Sequence, residues 1–209
     1  MRNLLIIASC FFIYTAGYTQ ILSDVDEVTP FHDDLAAIRK NDQWAFINKA
    51  GEKVINFRDD LVATDDEHFM DENGISSVNY PLFHNGRCLI KKLIDGTYYY
   101  GYINKEGDEI IEPLYLNATN FINGYAIVIK IAKNVMGNNL MLGKNVVNYK
   151  LEEYIIDSSG KTIKYLENAR NDRSSRNKTK SPPSFCSKFI APHLIAVMRP
   201  DKKWNIYEF

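Results

Sequence analysis

Short apolar runs alternate with turns along this chain, most clearly over Tyr100-Gly101-Tyr102-Ile103-Asn104-Lys105-Glu106-Gly107-Asp108-Glu109-Ile110-Ile111. Tyr102 and Ile103 end one strand, Asn104 to Gly107 turn the chain, and Ile110 and Ile111 begin the return. Glycine at the last turn position takes φ > 0 without steric cost, and asparagine suits the first. The pattern also runs through Phe46-Ile47-Asn48-Lys49-Ala50-Gly51-Glu52-Lys53-Val54-Ile55. It returns more loosely in Ile155-Ile156-Asp157-Ser158-Ser159-Gly160-Lys161-Thr162-Ile163. Three copies of one hairpin are an architectural signal, not a chemical one.

Each hairpin has a similar approach. Phe83-His84-Asn85-Gly86-Arg87-Cys88-Leu89-Ile90 precedes the central copy, and Phe121-Ile122-Asn123-Gly124-Tyr125-Ala126-Ile127-Val128 precedes the next. The first begins at Phe31-His32-Asp33-Asp34, and a last one at Phe189 runs through Trp204-Asn205-Ile206-Tyr207. The unit is a Phe, a short turn, a strand, a tight connection, an aromatic strand, a Gly-ended turn and a strand. Three strands are too few to stand alone, so neighbouring units must stack. The pattern predicts an all-β array of antiparallel meander units over about 31–57, 83–115, 121–165 and 189–209, curled as a solenoid or partial propeller. Variation falls in the connections: the acidic Arg58 to Pro81, the hairpin tip Lys133 to Asn148, and the polar, basic Leu166 to Ser184.

Composition narrows the class. The chain has 209 residues and a formal net charge of −1, which gives no reason to expect nucleic acid. Its 13 tyrosines suit half-buried strands. Residues 1–17 have the anatomy of a secretory leader: Arg2, an apolar run from Leu4 to Tyr14, and small Thr15 and Gly17 before a start near Tyr18. A lipoprotein box at Ile7-Ala8-Ser9-Cys10 is the competing reading. No later stretch reaches the ~18 apolar residues of a membrane helix. The expectation is an exported protein, periplasmic or secreted, with one repeat domain over 18–209. Cys88 and Cys186 remain after the leader, and pairing or two separate thiols are both open.

The candidates for chemistry are few. Asp59, Asp60, Asp65, Asp66, Glu67, Asp71 and Glu72 surround His68, but without the order of a calcium loop. His32, His68, His84 and His193 show no zinc spacing. No nucleophile motif, phosphate loop or dinucleotide fingerprint occurs, so neither enzyme, metal nor cofactor is expected. Tyr98, Tyr99 and Tyr100, with Tyr102, Trp44, Phe46, Trp204 and Tyr207, are candidates for a stacking face toward a sugar or protein. In the tyrosine run at least one ring must leave the core. Arg170, Arg173, Arg176, Lys178 and Lys180 form a basic segment. Asn117-Ala118-Thr119 and Asn177-Lys178-Thr179 fit the glycosylation sequon.

The units resemble the WG (KWG) repeat, found in many bacterial proteins. Lys203-Trp204, Gln43-Trp44 with Phe46 to Gly51, and Gly101 to Gly107 carry the likeness. The glycine after the aromatic survives only as Gly101; Ala45, Tyr154 and Asn205 stand elsewhere, and Glu153 replaces the third aromatic. The resemblance implies an interaction scaffold with a protein partner. Two readings follow: a non-enzymatic exported binding protein using Tyr98, Tyr99, Tyr100, Trp44 or Trp204, or a cell-envelope carbohydrate-binding or glycan-processing protein.

Overall fold

The computed structural model describes residues 20–64, 79–139, 144–167 and 181–209, without the side chains of 133–149. Among the described residues there is no helix, and therefore none long and apolar enough to cross a membrane. The leader, the acidic residues 65–78 and the basic segment 168–180 lie outside the described residues.

Four antiparallel sheets follow one another along the chain. The first has strands β1 (Glu27–His32), β2 (Leu35–Lys40), β3 (Gln43–Ile47) and β4 (Lys53–Arg58) in that order. The second has β5 (Cys88–Ile94), β6 (Thr97–Ile103) and β7 (Glu109–Tyr115). An isolated bridge from Leu61 to Ile90 adds a first edge to it. The third runs β8 (Asn117–Ala118), β9 (Tyr125–Asn139), β10 (Lys144–Asp157) and β11 (Thr162–Leu166). The fourth has β12 (Ser187–Ala191), β13 (Leu194–Met198) and β14 (Trp204–Glu208). The all-β repeat array is as the pattern predicts. The unit gains a strand, because the residues before the turn pair with the strand after it. The expected long hairpin tip of the third unit is the ribbon of β9 and β10, paired out to Asn139 and Lys144.

Turn chemistry explains the repeated sequence. Asp33 and Asp34, Asn85 and Gly86, and Asn123 and Gly124 all have φ between 50° and 83°. Positive φ at both central residues matches the twist of the flanking strands and favours Asn, Asp and Gly. At the later turn, Asn48 Oδ1 accepts from the amides of Ala50 and Glu52, each at 3.0 Å. Asn104 Oδ1 accepts from Asp108 N at 2.7 Å, and Asp157 Oδ1 from Ser159 N at 2.9 Å. The Asn or Asp of each hairpin therefore replaces a missing backbone acceptor.

The core lies between sheets. One cluster joins Phe46 and Ile55 of the first sheet to Phe83, Ile90 and Ile103 of the second. Another joins Tyr102 and Ile111 to Phe121, Val128 and Ile156. Each joint uses the same parts. Phe83 meets Phe46 edge-on with ring centroids 4.8 Å apart, and Phe121 meets Tyr102 at 4.7 Å. Ile55 packs on Gly107, where an added methyl would lie 3.5 Å away, and Ile111 packs on Gly160 at 3.2 Å. Gly86 N–H donates to Asp33 Oδ2 at 2.6 Å, and Gly124 N–H to Asn85 Oδ1 at 2.9 Å. A unit without its neighbour would expose these surfaces, as in other repeat proteins.

Candidate functional site

The aromatic candidates are spread over the array. Tyr98 is exposed on β6, with the Lys91 ammonium 5.3 Å from its ring centre. Tyr99 is half-buried against Leu116, Ile129 and Leu151. Tyr100 is core, and burial pushes its hydroxyl pKa up. Trp44 is half-buried on β3, with the Arg39 guanidinium 5.8 Å from its ring. Trp204 is exposed on β14, with the Lys188 ammonium at 5.0 Å. Trp44, Tyr100 and Trp204 hold one position in three sheets, buried to different degrees.

Other candidates resolve similarly. His32 and His84 flank the predicted turns and face each other across the first joint as tilted rings, with centroids 6.2 Å apart. His32 Nε2 lies 3.1 Å from the Tyr80 hydroxyl. His193 borders a cavity of about 280 Å³ lined by Ile122, Asn123, Tyr125, Phe189 and Phe209. His68 lies outside the described residues, and the described residues hold no group of three or more potential metal ligands. Cys88 and Cys186 do not pair with each other, and burial pushes the Cys88 thiol far above its ordinary pKa. Asn117 of the first sequon is tied down: its side-chain amide donates to Pro183 O at 2.9 Å.

Glu153 is the buried polar residue that spacing alone did not explain. Its carboxylate accepts from Cys186 N at 2.7 Å and from the Ser187 hydroxyl. The consensus aromatic has been replaced here by a clamp holding the start of the fourth sheet. The sequence signal was the substitution itself, at a position where other units carry Trp or Tyr.

The described structure is open at β14. In the first three sheets a return strand covers the third strand: β4 on β3, β7 on β6, β11 on β10. Among the described residues no strand pairs with the outer edge of β14. Ile206 is 63% exposed there, whereas Phe46, Tyr102 and Ile155 at the same position are 1% or less. Trp204 and Tyr207 are exposed beside it. Lys164 takes the register place of Ile55 and Ile111, and donates to Glu208 O at 2.5 Å. Its ammonium also lies 5.9 Å from the Tyr207 ring.

The opposite end is open in the complementary sense. Phe31 is 46% exposed, whereas Phe83 and Phe121, each seated on the preceding sheet, are 1% exposed. Ile21 packs on Gly51 as Ile55 and Ile111 pack on the next glycines. Among the described residues an apolar knob thus stands at the first sheet and an uncovered strand at the fourth.

The sequence profile of the family described as WG containing repeat matches residues 24–44 and 100–130. The first match spans β1 to Trp44 and includes Phe31, and the second runs from the end of β6 into β9 and includes Phe121. No curated protein and no solved structure matches the chain significantly. Over these two segments the chain carries WG-type repeats.

Proposed function

We propose that this is an exported, non-enzymatic binding or scaffold protein that recruits a protein partner at the uncovered β14 strand. The exposure of Ile206, at a position buried in the other three sheets, carries the reading. An open strand offers unpaired backbone donors and acceptors as well as apolar side chains, and strand addition uses both. Export is supported by the leader-like residues 1–17.

The test uses a synthetic peptide with the sequence Lys53 to Arg58, a return strand of this same array. Calorimetry on the full chain should show binding that is lost in Ile206→Ser. A peptide that does not bind the wild type overturns the reading. Glycan-array binding abolished by Tyr98→Ala, with no peptide binding, would move the protein to carbohydrate recognition. N-terminal sequencing of the mature protein should begin near Tyr18, and an intact Met1 in the extracytoplasmic fraction would remove the cleaved leader.

A further inference from the structure

We infer that the partner of β14 is a second copy of this chain, docked head to tail so that the internal joint is repeated between molecules. The inference rests on the reading above, that β14 recruits protein.

The internal joints supply the template. The first two have three parts: a return strand on the third strand of one sheet, an isoleucine from that strand on the next sheet's glycine turn, and the next sheet's Phe on the first sheet's mid-strand residue. The segment before β1 has the second and third parts in place. Ile21 already sits on Gly51, and Phe31 stands after Ile21 at the same chain distance as Phe121 after Ile111. The segment around Ile21 is therefore placed as the return strand of a sheet that would precede the first. The fourth sheet lacks such a strand among the described residues. In register with Phe46 opposite Ile55 and Tyr102 opposite Ile111, Ile21 of one copy falls opposite Ile206 of another. Phe31 then seats on Ile206 as Phe83 does on Phe46.

Charge favours the same pairing. Glu27 and Asp34 are answered within the first sheet by Arg39 and Lys49. Asp24 and Asp26 remain beside the knob with no ion pair among the described residues, while Lys202 and Lys203 directly precede β14 and the Lys188 ammonium lies 5.0 Å from the Trp204 ring. Opposite charges at two ends attract head to tail and repel head to head. Such a contact is heterologous, so copies add until a ring closes or a filament grows.

Sedimentation velocity of the purified full chain tests this with two variants at exposed positions, Phe31→Ser and Ile206→Ser, their folding checked by circular dichroism. Wild type should grow with concentration and shrink with added salt. Each variant alone should associate at least about tenfold more weakly. Their equimolar mixture should stop at a one-to-one dimer, because one variant keeps a sound β14 and the other a sound Phe31. A wild type that stays monomeric up to about millimolar concentration, variants that assemble like wild type, or a monomeric mixture would each overturn the inference. A monomeric protein that still binds the return-strand peptide through Ile206 removes the second copy and leaves partner binding standing. A protein that binds no peptide removes both.

Discussion

The second and fourth sheets are written in the same strand-and-turn language and differ in their coverage. In the second, β7 closes over β6, Tyr102 meets Phe121 on one side, and Gly107 meets Ile55 on the other. In the fourth, β14 carries aromatic and aliphatic residues at matching positions, and they face solvent. Coverage, not composition, thus separates a buried position from an exposed one in this protein. The same contrast holds among the leading phenylalanines. Phe121→Ala removes a ring buried in a joint and should destabilise the protein by about 3–5 kcal/mol. Phe31→Ala removes a half-exposed ring with no preceding sheet beneath it among the described residues, and should cost only about 1 kcal/mol. Denaturant unfolding of the two variants measures the difference directly, and equal losses would break the comparison.

A smaller effect separates the closed sheets from one another. Between Tyr100 and Tyr102 the paired residue on β7 jumps from Tyr115 to Ile111, so the return strand bulges over Gly101. A methyl group there would meet Ile111 O at 2.3 Å and Pro113 N at 2.7 Å, both backbone atoms. In the first sheet the jump is from Arg58 to Ile55, a shallower bulge, and Ala45 fits. In the third, Glu153, Tyr154 and Ile155 face Leu166, Tyr165 and Lys164 in step, and a tyrosine fits. Bulge depth therefore sets the residue after the aromatic. Gly101→Ala should cost about 2–4 kcal/mol, whereas Ala45→Gly should cost only about 1 kcal/mol through strand entropy. Thermal melts of both variants decide it.

Much of this architecture was legible because turns and strand alternation are local. Asn48, Asn104 and Asp157 announce their hairpins through bonds to amides within four residues along the chain. The first strand of each sheet was not legible. Asn117 and Ala118 are too short a run to read as a strand, and only pairing with β9 makes them one. The candidate site was half legible. Trp204 was visible as an aromatic of the repeat, but Ile206 looks like any core residue until the uncovered edge is seen. Tyr98, Tyr99 and Tyr100 were equivalent on paper, and the end of the core decides which of them is buried.

The Glu153 clamp sharpens the contrast at the joint between the closed third sheet and the open fourth. Glu153→Ala leaves Cys186 N–H and the Ser187 hydroxyl without this acceptor, at a cost of about 2 kcal/mol. The loss should appear first as faster amide exchange in β12 and β13, ahead of any change in β6. Uniform loosening of all four sheets would show that the clamp acts on the whole array instead.

The smallest effect is also the most local. The Tyr102 hydroxyl donates to Thr119 O at 2.6 Å across the joint of the second and third sheets. Tyr102→Phe keeps the ring on Phe121 and removes only this bond, so stability should fall by about 1 kcal/mol. Alkali acts on the same group. Burial raises the Tyr102 pKa well above its ordinary value of 10.0, and burial followed by the Glu152 bond raises Tyr154 to about 12. A raised folded pKa means that the neutral form is favoured in the folded state. The stability it reports is fully present below pH about 10 and is lost as pH climbs toward each folded value. Wild type should therefore loosen above pH about 10, with late tyrosinate absorbance that coincides with loss of the strand signal. In Tyr102→Phe part of that late absorbance should vanish and the alkaline loss should become shallower, because one buried group no longer has to ionise. An unchanged alkaline transition would place the sensitive group outside the second joint, and the closed sheet would owe less to its hydroxyl than to its ring.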